Sequence, residues 1–260
     1  AIEKQDQLIK ITTELKKALM QKFFTEGING EPQKETEIGL VPESWEVVKI
    51  QEIGKCVTGT TPKTKVDEYW DNPEYDFIAP ADIGKTKYVY NSEKQISKAG
   101  LGVSRVLPAN SVMCVCIGSS IGKVGITSKE KSSTNQQINS IICNEDYNPN
   151  YFFYLLTQIS DYWRSHATFG PVPILNKGQF EQTKIVVTKD KDEQNEIAIG
   201  LSTFDKKIEF HSRKKQTLTY MFKTLLHELI TGQRRVHEID FEKQKKELLM
   251  AAEPKMEYNK

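Results

Sequence analysis

The sequence predicts an α+β chain in which one mixed α/β globular domain is joined to long α-helices that form an antiparallel coiled coil. Three observations carry this. Between Gly39 and Asp190, short apolar runs rich in β-branched residues, such as Val112-Met113-Cys114-Val115-Cys116-Ile117 and Ile185-Val186-Val187, are punctuated by Gly and Pro, the texture of strands and turns. From Asp192 onward, apolar residues recur at Ile197, Leu201, Phe204, Ile208, Leu218, Phe222, Leu225 and Leu229, a heptad spacing without Gly or Pro after Gly200 until Gly232. Residues 3–26 place Leu8, Ile11, Leu15, Leu19 and Phe23 on one helical face.

In chain order, the first helix occupies residues 1–27 and stops at Gly27, and residues 28–38, with their Gly, Asn and Pro cluster, read as a linker. The domain spans 39–190. Its one helical stretch, Asn150 to about Trp163, starts at Pro149 and sets Phe153, Leu156 and Ile159 on a common side. The long helix covers 191–232, about 60 Å at 1.5 Å per residue. Continuing its alternation through the gap puts His211 and Lys215 at the two missing seam positions, where polar groups help set register. A stripe of that length needs a partner helix, because a 150-residue domain cannot bury it. Residues 233–260 form a C-terminal extension. Shifting the N-terminal segment by 206 residues superposes Ile2-Glu3 on Ile208-Glu209, Thr13 on Thr219, Lys17 on Lys223, Leu19 on Leu225 and Thr25 on Thr231, so the two helices read as related copies flanking one domain.

Composition removes several classes. No run of eighteen apolar residues spans a membrane, and the charged start Ala1-Ile2-Glu3-Lys4-Gln5 lacks the apolar centre of a signal peptide. Cys56, Cys114, Cys116 and Cys143 have neither the density of a disulfide scaffold nor zinc-site spacing, and read as reduced thiols of a cytoplasmic protein with no metal. The net charge of +1 gives no global footprint for nucleic acid. Two windows are basic, however. Residues 98–144 carry Lys98, Arg105, Lys123, Lys129 and Lys131 against Glu130 alone, and residues 206–223 carry six cations against Glu209.

Catalytic motifs fail one by one. Asn72-Pro73-Glu74-Tyr75 lacks the second proline of the loop with which amino-methyltransferases hold a flipped base, and no glycine-rich turn upstream could hold S-adenosylmethionine. Gly118-Ser119-Ser120-Ile121-Gly122-Lys123 is one residue short of a phosphate-binding loop and continues with Val124. His227-Glu228 meets Thr231 where a zinc protease needs its second histidine. His166, His211, His227 and His237 are scattered, and Cys114 and Cys116 alternate on one strand face as core residues would.

What remains is a set of polar loops: Gly59-Thr60-Thr61-Pro62-Lys63, Gly118 to Lys123, Asn135-Gln136-Gln137 and Gly170 to Lys177. Small residues, amides and lysines suit close approach to a phosphate backbone, with Asn or Gln able to pair an adenine edge. The candidate DNA-binding residues are Thr60, Thr61, Lys63, Lys85, Arg105, Ser119, Ser120, Lys123, Asn135, Gln136 and Lys177. The candidate interface residues are Leu8, Ile11, Leu15 and Leu19 of the first helix with Ile197, Leu201, Phe204, Ile208, Leu218, Phe222, Leu225 and Leu229 of the long one.

The order of these motifs resembles a known family. Gly39-Leu40-Val41-Pro42-Glu43-Ser44-Trp45-Glu46, Gly59-Thr60-Thr61-Pro62 with Tyr69-Trp70, Ala81-Asp82-Ile83, Ile121-Gly122-Lys123-Val124-Gly125, Asn135-Gln136-Gln137 and Val172-Pro173-Ile174-Leu175-Asn176 fall in the order of a target recognition domain from the specificity subunit of type I restriction-modification systems. Asp192-Glu193-Gln194, with Ile197, Leu201, Asp205 and Ile208, then Leu229-Ile230-Thr231-Gly232 and Arg235-Val236, resembles the conserved helix of that family. The chain departs from it in having one recognition domain, as half a subunit would, and in Thr188 where the family usually has proline. The resemblance implies a non-catalytic subunit without cofactors of its own, whose partners are double-stranded DNA, methyltransferase (modification) subunits and a restriction subunit. Two identical chains would restore the two domains of a full subunit, so a homodimer is expected. A coiled-coil scaffold or adaptor binding protein partners is the competing reading, and a self-sufficient methyltransferase rests only on Asn72 to Tyr75.

Overall fold

The computed structural model describes residues 1–166, 173–233 and 235. It divides into two units, Met20–Ala198 and a helical unit made of residues 1–19 with those from 199 onward. The globular unit is thus wider than 39–190. It takes in the end of the first helix, α1 (Ile2–Glu26), and the start of the long one, α7 (Lys191–Ile230), because Met20, Phe24, Ile197 and Ala198 are buried.

The expected linker holds structure. β1 (Gln33–Thr36) and β2 (Gly39–Pro42) form an antiparallel hairpin whose two-residue turn ends at Gly39, φ +116°. A polar strand, Gln33-Lys34-Glu35-Thr36, offers no apolar alternation, so its pairing is invisible to periodicity. β3 (Glu46–Lys49), α2 (Ile50–Ile53), β4 (Gly54–Thr58), β5 (Tyr75–Ile78), β6 (Tyr88–Val89), β7 (Lys94–Ile96) and α3 (Lys98–Gly102) follow. Then come β8 (Val112–Val115), β9 (Val124–Thr127), β10 (Ser132–Thr134), β11 (Ile138–Cys143), α4 (Pro149–Gln158), α5 (Ser160–His166), α6 (Lys177–Gln182) and β12 (Lys184–Val187).

A five-stranded sheet runs β4-β11-β8-β9-β6, a three-stranded sheet β10-β5-β7, and β12 pairs with β3. Pairings β6 with β9 and β10 with β5 are parallel and the others antiparallel, which makes the domain mixed α/β. Ile78, Ile83, Val89, Leu107, Met113, Val115 and Ile138 form one apolar cluster of its core. Cys114 and Cys116 are buried, as core residues. The helix expected from Asn150 to Trp163 is two helices broken at Ile159. α4 begins with Asn148 capping the Asn150 amide and Pro149 in the first turn, and buries six consecutive residues, Tyr151–Leu156. A helix apolar all round lies in a core, and α4 packs on β8 and β9.

The first turns of α7 are locked into this unit. The buried Gln194 gives its Nε2 to the carbonyls of Asp146 and Thr188 and takes the Asn148 amide on Oε1. The Thr188 amide donates to the Tyr151 hydroxyl, a bond proline could not make.

In the helical unit α1 and α7 run antiparallel: Lys16 pairs with Asp205 at 2.5 Å, and Asp6 with Lys215 at 2.6 Å. Both polar seam positions meet polar partners, His211 Nδ1 lying 2.9 Å from Gln5 Oε1. The face of α1 turned to α7 is mixed: Gln5 and Lys16 lie on it beside the half-buried Leu8 and Leu19, while Ile11 and Leu15 remain 60% and 49% exposed. On α7, Phe222, Leu226 and Ile230 are exposed as well. Two expected interface residues are placed otherwise: Ile197 and Leu201 are fully buried within the chain, so no second chain can reach them. Leu8, Leu19, Phe204, Ile208, Leu218, Leu225 and Leu229 are half-buried.

No helix among the described residues is long and apolar enough to cross a membrane. Most of the C-terminal extension, with His237, lies outside the described residues, as do Gly170, Pro171 and Val172.

Candidate nucleic-acid interface

The polar loops converge on one edge of the globular unit. β4 ends at Thr58, and Gly59 then gives its amide to Ile138 at 3.0 Å while Thr60 gives its own to Thr134 at 2.9 Å. A side chain at position 59 would place its Cβ 2.0 Å from the Asn135 carbonyl oxygen, so only glycine allows the two loops to approach. Across this seam the Thr61 hydroxyl donates to Gln136 Oε1 at 2.5 Å. Arg105 reaches the same place and donates from Nη1 to the Thr58 carbonyl at 2.8 Å.

Two further loops join through Cys116, whose amide donates to Gln137 and whose carbonyl accepts the Leu175 amide, both at 2.8 Å. Gly118, φ +92°, gives its amide to Pro173 at 2.9 Å. The Gly118–Lys123 segment is a tight connection between antiparallel β8 and β9, with the Ile121 amide on Gly118 and the Lys123 amide on Ser120. A phosphate-binding loop leads from strand to helix, so this geometry rules one out. Arg164 of α5 braces it, Nε donating to the Ile121 carbonyl. Gly84, φ +91°, packs against the stem of Lys123, which brings the Gly84-Lys85 turn beside that loop.

Placement sorts the candidates. Thr61, Lys63, Lys85, Arg105, Ser119, Lys123, Gln136 and Lys177 are exposed, and Thr60 and Ser120 are half-buried. Lys177, in the first turn of α6, is paired with Glu181 at 3.2 Å and so has a partly neutralised charge. Asn135 also holds the turn: its Nδ2 donates to Gln137 Oε1 and its Oδ1 accepts the Gln137 amide, which takes one proton and one lone pair of the amide and fixes its orientation. Gln136 beside it keeps its Nε2 open. The bracing partner Gln137 stands out in the sequence only as one amide of the loop, because a side chain bonding two residues back reads like any polar turn residue.

Other motif residues hold the scaffold. Asp82 accepts the amides of Ala79 and Glu93, and Ile83 lies in the core. Asn176 caps α6, its Oδ1 accepting the Gln179 amide while its own amide donates to Gln179 Oε1. Asn72, φ +51°, is a turn residue leading into β5. Burial pushes the Cys56 thiol up to about 11 and that of Cys143 to about 12, which leaves both protonated and poor nucleophiles. No group of three His, Cys, Asp or Glu among the described residues could hold a metal ion.

This mixed α/β scaffold, with polar and cationic loops along one edge, has the make-up of a recognition module. The chain belongs to the family described as the type I restriction modification DNA specificity domain, whose model matches residues 42–220. It is 32% identical over 192 residues to the specificity subunit of the type I restriction enzyme MjaIX of Methanocaldococcus jannaschii, covering 70% of this chain and 42% of the relative. It is 28% identical to the HindI specificity subunit of Haemophilus influenzae, covering 74% and 42%, and 29% identical to the EcoR124I/EcoR124II specificity subunit of Escherichia coli, covering 59% and 39%. The chain therefore spans about 40% of the length of these relatives. The same fold occurs in a chain from a structural study of type I restriction-modification complex assembly and conformational transition, with a TM-score of 0.63 at 14% identity, covering 87% of this chain and 53% of that one. It occurs again in the HsdS subunit of Thermoanaerobacter tengcongensis, with a TM-score of 0.60 at 14% identity, covering 87% and 52%.

Proposed function

We propose that this chain is a sequence-specific DNA-recognition subunit of a type I restriction-modification complex, reading one half-site with the loops around Gln136. The observation that carries the reading is the convergence of the Gly59–Lys63, Asn135–Gln137 and Gly118–Lys123 loops on one edge within a chain of this family. Lys63, Lys85, Arg105 and Lys123 would meet phosphates and fix position, which adds affinity without sequence information. Gln136 would pair a base edge in the major groove, where an amide suits adenine N6 and N7.

In this reading the chain is not an enzyme and needs no cofactor. Methyl transfer and cleavage belong to the modification and restriction subunits, which the helices and the globular unit would dock. The exposed Ile11, Leu15, Phe222, Leu226 and Ile230 favour a partner on the helical unit, and a second copy of the chain is the occupant proposed here. A two-fold pair would read an inverted repeat, with a spacer set by helix length. Selection of bound sequences from random duplex DNA, with and without a co-expressed modification subunit, tests the proposal. Enrichment of a defined motif is expected, and equal recovery of all sequences in both arms would overturn it.

A further inference from the structure

The hydrogen bond from Thr61 to Gln136 joins residues 75 positions apart, and it is exposed, so it does little to hold the core. Both of its ends are fixed. Thr61 lies between Thr60, whose amide is bonded to Thr134, and the buried Pro62, whose ring restricts the backbone. Gln136 lies between Asn135 and Gln137, which hold each other through two hydrogen bonds. A free glutamine on a surface samples many rotamers and can turn either end of its amide outward. Here the hydroxyl occupies one lone pair of Oε1, which leaves Nε2 as an outward donor beside the second lone pair of the oxygen.

From this we infer that Thr61 is a positioning residue for specificity: it orients the Gln136 amide, so that the pair reads one base pair as a preformed donor and acceptor. The inference rests on the DNA-reading role proposed above. A reader held in one geometry loses less entropy on binding and discriminates better than a mobile one. It also penalises guanine, which presents two acceptors to the oxygen and nitrogen of the amide.

The test uses the full chain, a randomised duplex library and then fixed duplexes carrying each base pair at every position of the selected motif. Thr61→Val removes the hydroxyl at nearly constant volume, Thr61→Ser keeps it, and Gln136→Ala marks the position read. Discrimination in Thr61→Val should fall about five- to tenfold, the worth of one hydrogen bond, at the same single base pair that Gln136→Ala relaxes. Thr61→Ser should restore it, and the salt dependence should stay unchanged because no phosphate contact is lost. If Thr61→Val selects the original motif with full discrimination, or loses affinity equally for all sequences, the positioning role is overturned while DNA recognition stands. If the unaltered chain enriches no sequence with or without a co-expressed modification subunit, both fall.

Discussion

Glu193, in the first turn of α7, accepts the indole N–H of the fully buried Trp45 on Oε2 at 3.0 Å, while its Oε1 takes the Ile28 amide at 3.2 Å. One buried carboxylate thus ties the chain leaving α1, the segment before β3 and the start of the long helix. Gly27, φ +66°, is held against it, where a Cβ would lie 2.9 Å from Oε1.

Glu193→Ala should therefore destabilise the globular unit by about 1–3 kcal/mol, since it strands the buried Trp45 indole and the half-buried Ile28 amide. Urea unfolding followed by tryptophan fluorescence measures this. A midpoint equal to that of the unaltered chain would remove the clamp.

Gly59→Ala drives a methyl group into the Asn135 carbonyl and should cost at least about 1–3 kcal/mol as overpacking. Gly102→Ala, with open space at its Cβ, is the control. Thermal melts of the two variants should separate, and matching melts would show that the loops can part without cost.

Lys123→Ala should weaken DNA binding for every sequence alike and make the slope of log affinity against log salt shallower by about one unit, as loss of one phosphate contact does. Gln136→Ala should instead relax one position, by about 1–3 kcal/mol for a bidentate pair. Asn135→Ala should disturb the whole loop, lowering affinity at several positions, because its amide is committed to Gln137. Equal footprints in all three variants would place the reading surface elsewhere.

The Cys56 and Cys143 thiols of the folded chain should resist alkylation by iodoacetamide at pH 8. Cys56 and Cys143 are raised to about 11 and about 12 chiefly by burial, so their thiolates are scarce until the pH nears those values. The sign for stability follows: protonated thiols are compatible with the fold, and the stability they contribute is lost as pH rises from about 9 through 11 to 12. The alkaline loss should shrink in Cys56→Ser/Cys143→Ser, and rapid labelling of both sites at pH 8 in the folded chain would contradict their burial.

A homodimer requires the exposed apolar residues of the helical unit. Light scattering at micromolar concentration should give twice the chain mass, and Phe222→Glu/Ile230→Glu should return it to one. A monomeric unaltered chain, or a selected target without two-fold symmetry, would end the dimer model and leave recognition standing.

Periodicity and composition by themselves determined where the first and last helices run. Gly27 and Gly232 end helices, Pro149 starts one, and the heptad stripe marks α7 to within two residues. These features are local, set by backbone freedom and by which side chains repeat along a face. The polar positions His211 and Lys215 were legible too, because a gap in an apolar stripe asks for polar partners. Four loops could be singled out as polar and glycine-bearing, yet nothing in one dimension says that Gly59 touches Asn135, or that Cys116 joins Gln137 to Leu175. Only the tertiary structure decided which amide braces the turn. Asn135 and Gln136 are neighbours of nearly the same chemistry, and hydrogen bonds to Gln137 and Thr61 assign one to the turn and leave the other facing outward. It also decided that Ile197 and Leu201 belong to the chain's own interior, and that Gln5, not Ile11, faces the long helix, because burial depends on what packs against a face and not on the pattern along it.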